Sequence, residues 1–535
     1  MEGIVKWIEK RAETAPERTA LIGERRELNY RDMSREINQT ARLLSDQHAV
    51  KKGERIAILA GNGVEYMVLL FAIAKLGAIA VVLNTRLTAP ELTFQLNDSG
   101  AGLLVAEGCY RELGTQLVAG SGLADVLWFD PHGLTAERLE DRISECEGTF
   151  GETGADASLP FIICYTSGTT GRPKGAVLTQ ENMFWNAVNN CLGLDITSAD
   201  RIMALLPLFH IGGIGLFSLP ALFAGGCVIL PDRFEPERVL KMIEEHRVTI
   251  ALGVPTMHDL LRKSPAFEGT DLSSLRWLYN GGAPCPHELI TYYLDRGIPF
   301  GQGYGMTETS PTVFLLSKED YTKKVGSIGK PVLYCDIRIV DDEGRDVKAG
   351  EIGELLVRGP HVMQGYWNLP EETNKALRDG WLSTGDLVRA DENGFVYVAG
   401  RKKEMIISGG ENVYPLEIEQ VIRELPSVDE AAVVGVVDLK WGEVPAAAVV
   451  LKERSPEDEG EAETSQEQSR LEEVQSHCMR RLAKYKVPAT IVFVSALPKN
   501  ATGKVDKNQI KIMLEKRMEE NRHGDICNRP EGQLQ

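Results

Sequence analysis

The 535-residue sequence lacks most of the signatures that would place it quickly. Its nine cysteines are scattered and never spaced as CxxC, so neither a disulfide framework nor a thiolate zinc site is expected. An odd, dispersed set of thiols suits a reducing cytoplasm, the compartment this reading predicts. The nine histidines form no HExxH and no cluster with cysteine, which argues against a metal centre built from protein ligands alone. Positive charge is also short: 59 Lys and Arg stand against 77 Asp and Glu, a formal net charge of −18. A nucleic-acid binder needs a basic footprint to displace counterions, so no nucleic-acid partner is expected. The N-terminus, MEGIVKWIEKRAETAPERTAL, is charged throughout and has no apolar signal core. One run, YMVLLFAIAKLGAIAVVL at 66–83, is long enough to span a bilayer. Lys75 and Gly77 split it into a helix-like half and a β-branched half, which reads as a buried helix followed by a buried strand. No transmembrane segment is expected, and the composition is compatible with peripheral membrane contact and with a homodimer.

What is present is an alternation. The apolar runs RIAILA (55–60), AIAVVL (78–83), GLLVA (102–106), FIICYT (161–166), CVIL (227–230) and TIALG (249–253) read as strands, with helical patterns such as EPERVLKMIEEH (235–246) between some of them. That rhythm predicts an α/β fold with parallel-rich sheets. From about 326 short strands and turns take over, predicting a β subdomain with DDEG (341–344) as a hairpin turn. Near 400 the pattern shifts again to a helix (415–425) and two strands (431–437 and 445–451), predicting a small α+β C-terminal domain. The division is placed at 1–401 and 402–535.

The most telling stretch is YTSGTTGRPKG at 165–175, directly after the buried-strand pattern FIIC. Glycines let backbone N–H groups converge on an anion, hydroxyls add donors, and a lysine adds a point charge. Ser167, Gly168, Thr169, Thr170, Gly171 and Lys174 supply all three. The spacing is not GxxxxGK[ST], which disfavours a P-loop kinase or GTPase. An ordinary Ser/Gly turn would explain any short fragment of it. Four further stretches recur downstream: GQGYGMTE (301–308), STGD (383–386), GRKKEMIISGGENVYPLEIE (400–419) and PKNATGK (498–504). Each alone has a dull explanation. Their joint occurrence in this order does not.

In these motifs the chain resembles the adenylate-forming enzymes, from about residue 5 to 515, and GENVYP with LPLFHIGG (206–213) looks most like bacterial fatty acyl-CoA and feruloyl-type CoA ligases. The resemblance implies ATP, Mg²⁺ and coenzyme A as reactants, and a small C-terminal lid that rotates between two half-reactions. Thr166 to Lys174 would hold the ATP phosphates. Tyr304 would stack on adenine beside the Gly282 and Ala283 backbone. Thr307 would meet the α-phosphate and Glu308 would help hold Mg²⁺. Asp386 and Arg401 would bind ribose, and Lys504 would bridge carboxylate and α-phosphate. Lys403 matches the hinge, Ser408, Gly409 and Gly410 the pantetheine tunnel, and His210 the place beside the acyl carboxylate.

The acyl pocket is expected around Asn280, Gly281 and Gly282 and around Gly301, Gln302 and Gly303, where glycines would leave the floor open. An open slot suits a medium- or long-chain fatty acid, the substrate favoured here, and a flat cinnamate-, ferulate- or benzoate-type acid is the alternative. A methylene or two in an apolar pocket discriminates only modestly. An adenylation enzyme loading a separate carrier protein, a luciferase-like oxidative use of the adenylate, and a non-catalytic nucleotide-binding protein complete the alternatives. Retention of Lys504, Glu308 and Asp386 together argues against the last.

Overall fold

A computed structural model of the chain describes residues 2–123, 126–130, 139–151, 156–166, 172–283, 285–438, 440–452, 463–500 and 504–527. The chain divides into two compact units. The first comprises Met1–Arg338, Leu356–Thr384 and Ala390–Tyr397; the second comprises Ile339–Leu355, Gly385–Arg389 and Val398–Gln535.

The first unit is built on two large sheets, and all six predicted strands are present in them. In one, Arg55–Leu59 lies between Ile79–Val82 and Leu103–Glu107, all parallel, with Val126–Phe129 and Pro160–Thr166 extending the two sides. Lys174–Thr179 then pairs antiparallel with Pro160–Thr166. The ambiguous run resolves as predicted. Val64–Leu76 is a helix buried all round, and Gly77 ends it in a left-handed turn before Ile79–Val82. A helix apolar on every face has to be enclosed. Among the described residues no helix is long and apolar enough to cross a membrane.

The second sheet has nine strands. At its centre Thr19–Gly23, Cys227–Leu230, Arg201–Ala204, Ile250–Gly253, Trp277–Asn280 and Phe300–Gly305 run parallel in that order. In open parallel sheets ligands bind beyond the carboxyl ends of the strands. The segments Leu205–His210, Gly281–Ala283 and Met306–Glu308 all leave from those ends.

In the second unit, Val428–Asp438 and Gly442–Leu451 form a long antiparallel pair, with Thr490–Phe493 parallel to the latter. Ala431, Val433, Ala447 and Val449 face a core shared with Ile418, Ile422, Val474 and Cys478. Ala432, Val434, Ala446 and Ala448 face the opposite core, closed by Ile510 and Leu514. Burial on both faces explains why these strands read as continuous apolar runs rather than alternating ones. The predicted DDEG turn closes with Gly344 N–H donating to the Asp341 carbonyl at 3.0 Å.

The end of the nine-stranded sheet opposite the site is locked by Asp200. Its buried carboxylate accepts two bonds from Arg276 (2.7 and 2.8 Å), one from Thr249 Oγ1 (2.8 Å) and one from Thr197 N–H (2.8 Å). Burial alone would raise its pKa, but the Arg276, Thr197 and Thr249 bonds outweigh that and hold it below the usual carboxylate value. Its stabilisation is therefore present at neutral pH and lost as pH falls through the depressed folded value. Asp200→Ala leaves Arg276 without its carboxylate partner and is expected to cost about 3 kcal/mol in urea unfolding at pH 7. The difference from wild type should shrink below pH 4; an undiminished difference there contradicts the assignment.

Candidate active site

Thr166 faces Lys174 across the antiparallel ladder of Pro160–Thr166 and Lys174–Thr179. Ser167, Gly168, Thr169, Thr170 and Gly171, between them in sequence, lie outside the described residues. The short strand Gly365–Tyr366 pairs with the other edge of Lys174–Thr179, Tyr366 opposite Ala176. Residues two apart on a strand share a face. The Lys174 ammonium accordingly lies 5.2 Å from the centre of the Tyr366 ring and pairs with the Glu372 carboxylate. Hydrogen bonds from Lys174 and then Lys375 hold the Glu372 carboxyl down at about 2.

Tyr366 links this lysine to a second group. Its hydroxyl donates to Glu308 Oε1 at 3.0 Å. Thr307 and Glu308 are buried in the 3₁₀ turn Thr307–Thr309, directly after strand Phe300–Gly305 and Met306. Tyr304, next to last on that strand, is half-buried, its ring 5.9 Å from Phe314 and tilted 61° to it. Cys164 is buried on strand Pro160–Thr166. Burial pushes its thiol up to about 12, so it is no nucleophile at neutral pH. Among the described residues no three His, Cys, Asp or Glu side chains could together hold a metal. A lone buried carboxylate is still what Mg²⁺ asks of a protein when substrate phosphates supply the other oxygens, so Glu308 fits the expected ion.

His210 precedes an unusual element, the π-helix Gly212–Ser218. Such turns leave carbonyls unmatched and recur at functional sites. Here Asn186 donates to Gly215 O (2.6 Å), Asn190 to Leu216 O (2.8 Å) and Ser218 to Gly213 O (2.6 Å). Asn186 also accepts from Thr312 N–H at 3.2 Å, just beyond the Glu308 turn. Upstream, Asn62 brackets the LPLFH segment, donating to Leu206 O (3.1 Å) and accepting from Leu208 N–H (2.7 Å). His210 Nδ1 accepts from Gly212 N–H at 3.2 Å, which assigns the proton of a neutral ring to Nε2.

The expected open floor is only half there. A Cβ at Gly281 would meet just Leu216 and Leu252, both at 3.8 Å, and one at Gly282 just Val254 at 3.7 Å. At Gly301, however, the same position lies 2.5 Å from the Tyr279 ring and 2.9 Å from Trp277. At Gly303 it lies 2.8 Å from the Phe314 carbonyl oxygen. At these two glycines the side-chain direction is filled by neighbouring protein. Gln302 is likewise occupied, its amide donating to Ser327 O at 2.7 Å, and Asn280 donates to Ala283 O at 3.2 Å.

Within the second unit, Arg401 Nε pairs with the buried Asp386 at 2.9 Å. Lys403 is exposed in the 3₁₀ turn Lys402–Glu404. Ser408 is buried at the end of strand Ile406–Ser408, and Gly409 and Gly410, at φ 61° and 89°, turn the chain into Glu411–Val413. Two successive positive φ values are the mark of a tight hairpin and favour a glycine pair. Lys504 is exposed, its N–H donating to Asn500 Oδ1 at 3.0 Å and its carbonyl accepting from Asn500 N–H at 2.8 Å. Sequence reasoning missed Tyr366, Glu372, Tyr279, Asn62 and the asparagines at 182, 186, 189 and 190. The last four had a signal, because they recur at helical spacing on one helix, Gln180–Leu194.

The AMP-binding enzyme model matches residues 8–367, and its C-terminal domain model matches 417–504. The chain belongs to the AMP-binding enzyme family. It is 40% identical over 512 residues to a feruloyl-CoA synthase of Amycolatopsis, covering 95% of this chain and 99% of that one. An indoleacetate–CoA ligase of Aromatoleum aromaticum is 39% identical over 515 residues, covering 95% and 98%. Among solved structures, the o-succinylbenzoate CoA synthetase of Bacillus subtilis with its acyl-adenylate superposes with TM-score 0.82 at 36% identity, covering 94% and 97%. A Mycobacterium tuberculosis fatty acyl CoA synthetase superposes with TM-score 0.77 at 33% identity, covering 96% and 99%. This AMP-binding enzyme is an acid–CoA ligase that works through an acyl adenylate, with ATP, Mg²⁺ and CoA.

Because Tyr279 fills the space beside Gly301, Gly301→Ala in the ligase is expected to lower stability by about 1–3 kcal/mol through overpacking. Gly281→Ala, which meets only ordinary contacts, should be nearly silent in the same unfolding measurement. Equal effects at the two sites would contradict the geometry.

Proposed function

We propose that the ligase acts on an aromatic acid carrying a short side arm, of the cinnamate, ferulate or arylacetate type. The supporting observation is the Tyr279 ring lying where the Gly301 and Gly303 openings were expected. A long alkyl chain needs a continuous channel. Room for a side chain remains at Gly281 and Gly282, beside Leu216, Leu252 and Val254. A space bounded by apolar side chains and bare glycine backbone suits a flat ring. The crowding at Gly301 and Gly303 supports this reading over the medium- or long-chain fatty acid. The names of the feruloyl- and indoleacetate-using relatives support the same choice.

The chemistry follows from charge. A carboxylate oxygen attacks the α-phosphorus of ATP and the bond to pyrophosphate breaks, giving the acyl adenylate. CoA sulfur then attacks the acyl carbon, and AMP leaves. The first step brings two anions together, so fixed positive charge is required where negative charge develops. Lys174, with Thr166 and the stretch Ser167 to Gly171, holds the ATP phosphates. Tyr304 and the Gly282–Ala283 backbone hold adenine, and the Asp386–Arg401 pair holds ribose. Thr307 meets the α-phosphate. Glu308, oriented by Tyr366, holds Mg²⁺, which when bound supplies charge neutralisation on the phosphates. His210 Nε2–H lies beside the acyl carboxylate, and Lys504 bridges that carboxylate to the α-phosphate. The second step needs no protein nucleophile, since a thiol with a pKa of about 8.5 is already partly ionised and strongly nucleophilic. Ser408–Gly410 line the pantetheine path, and Lys403 is the hinge at the 401/402 division between the nucleotide-binding part and the lid.

CoA-dependent AMP release is measured with acetate, octanoate, palmitate, benzoate, ferulate, indoleacetate and o-succinylbenzoate. An aromatic acid should exceed palmitate in kcat/KM by at least about tenfold, a modest apolar-pocket discrimination. Preference for palmitate overturns the substrate, and acid-dependent pyrophosphate exchange without thioester points to a carrier-protein acceptor. In Lys504→Ala, adenylation should fall by about a thousandfold while thioester formation from supplied adenylate stays within about threefold. Equal losses contradict the role of Lys504.

A further inference from the structure

The lysine assigned above to the ATP phosphates has its ammonium on a carboxylate in this structure. Glu372 Oε2 accepts from Lys174 Nζ, and Glu372 Oε1 accepts from Lys375 Nζ at 2.7 Å. The two lysines differ in their surroundings. The Lys174 side chain is 13% exposed and lies against the Tyr366 ring, whereas that of Lys375 is 64% exposed. A cation so far withdrawn from water is costly without an anion beside it. With one oxygen on each lysine, Glu372 is shared between a sheltered cation and a solvated one. None of the roles assigned above uses it.

The backbone holds Glu372 where it meets Lys174. Glu372 stands on the helix Pro370–Ala376, which is joined to strand Gly365–Tyr366 by Tyr366 N–H donating to Thr373 Oγ1 at 2.9 Å. Trp367 N–H in turn donates to Gly175 O at 2.8 Å, next to Lys174. All of these residues belong to the first unit, so the contact does not depend on the lid. Lys174 and then Lys375 hold the Glu372 carboxyl at about 2, so it stays an anion near neutral pH and proton uptake does not release Lys174. Release has to come from a competing anion. ATP brings several negative oxygens to the same lysine, and a carboxylate left there would face them as a like charge.

We infer that Glu372 is a resident counter-anion that occupies Lys174 in the nucleotide-free ligase and yields it to the ATP phosphates, falling back on Lys375, so that Glu372 sets the affinity for ATP and for pyrophosphate. This rests on the reading that Lys174 binds those phosphates. A ligand shifts an equilibrium only by its differential interaction with the two states. Here the difference is the Lys174–Glu372 pair, which is lost when ATP binds and regained when pyrophosphate departs. The contact therefore weakens ATP binding and favours pyrophosphate release. Thioester formation is outside its reach, because the acyl adenylate keeps only the α-phosphate.

The test uses the full chain and four variants: Glu372→Gln, Lys375→Ala, Lys174→Ala, and Lys174→Ala combined with Glu372→Gln. Binding of Mg²⁺–ATP and of pyrophosphate is measured by titration calorimetry without acid, and thioester formation is measured from supplied acyl adenylate. Glu372→Gln should tighten ATP and pyrophosphate by about threefold to tenfold, since the amide keeps the shape and loses the charge. Thioester formation should stay within about twofold, which a general disturbance of the fold would not allow. Lys375→Ala leaves Glu372 with Lys174 alone and should weaken ATP by about twofold to threefold, the opposite sign. Adding Glu372→Gln to Lys174→Ala should change ATP binding by less than about twofold, because the anion then has no lysine to occupy. Weaker ATP binding in Glu372→Gln, or a tightening undiminished in the Lys174→Ala background, overturns the inference. The first result would make Glu372 a support for Lys174, the second a distant repulsion. If Lys174→Ala binds ATP and pyrophosphate as tightly as wild type, the assignment of Lys174 falls and this inference with it. If Lys174→Ala weakens both and Glu372→Gln changes neither, the inference alone falls.

Discussion

Irregular backbone can be buried only if its N–H and C=O groups find partners, and in the first unit a row of asparagine amides supplies them. An unpaired buried amide or carbonyl costs about 1–3 kcal/mol, so a π-helix and several bends packed around one site would be prohibitive without compensation. Asn182 donates to Pro360 O and Val362 O at 2.8 and 2.9 Å, on the approach to Tyr366. Asn186 joins the π-helix after His210 to the strand after Glu308, and Asn189 accepts from Tyr334 N–H at 3.0 Å. All stand on the helix that directly follows strand Lys174–Thr179, so one rigid element references that strand, the Glu308 turn and the His210 segment to each other. Small amides suit the task because each can donate and accept at once. That is how loops carry chemistry here without being loose.

Electrostatics is organised on the same local scale. In a chain of net charge −18, several cations stand singly in defined surroundings. Lys174 stands against Tyr366 and Glu372, Arg401 against Asp386, and Lys507 between Glu404 and Glu419. In each case a carboxylate fixes where the positive charge is. Preorganised charge costs little reorganisation when negative charge develops during reaction.

Much of the fold was legible because its strands are short, apolar and separated by helical patterns. Even the membrane-length run at 66–83 resolved correctly, since Lys75 and Gly77 interrupt it at a helix end. The expectations at 166–174, Glu308, Asp386, Arg401 and Lys504 came from another source, local motifs of four to twenty residues. What fills the space beside Gly301 and Gly303 was not legible. A glycine in sequence announces missing bulk but not what fills the room, and at Gly301 the filler is Tyr279, twenty-two residues upstream on the neighbouring strand. Tyr366, Glu372 and Asn62 escaped for the same reason, being brought to the site by strand pairing and packing over long sequence separations.

Adenylate formation is tested most directly by oxygen transfer. The ligase is given ATP, Mg²⁺, CoA and an acid labelled with ¹⁸O in its carboxylate, and the products are weighed by mass spectrometry. Attack of the carboxylate on the α-phosphorus, followed by thioester formation, requires one ¹⁸O in AMP and none in pyrophosphate. Label in inorganic phosphate or pyrophosphate, with unlabelled AMP, would mean that the acid meets another phosphorus, and the roles given to Thr307, Glu308 and Lys504 would be wrong.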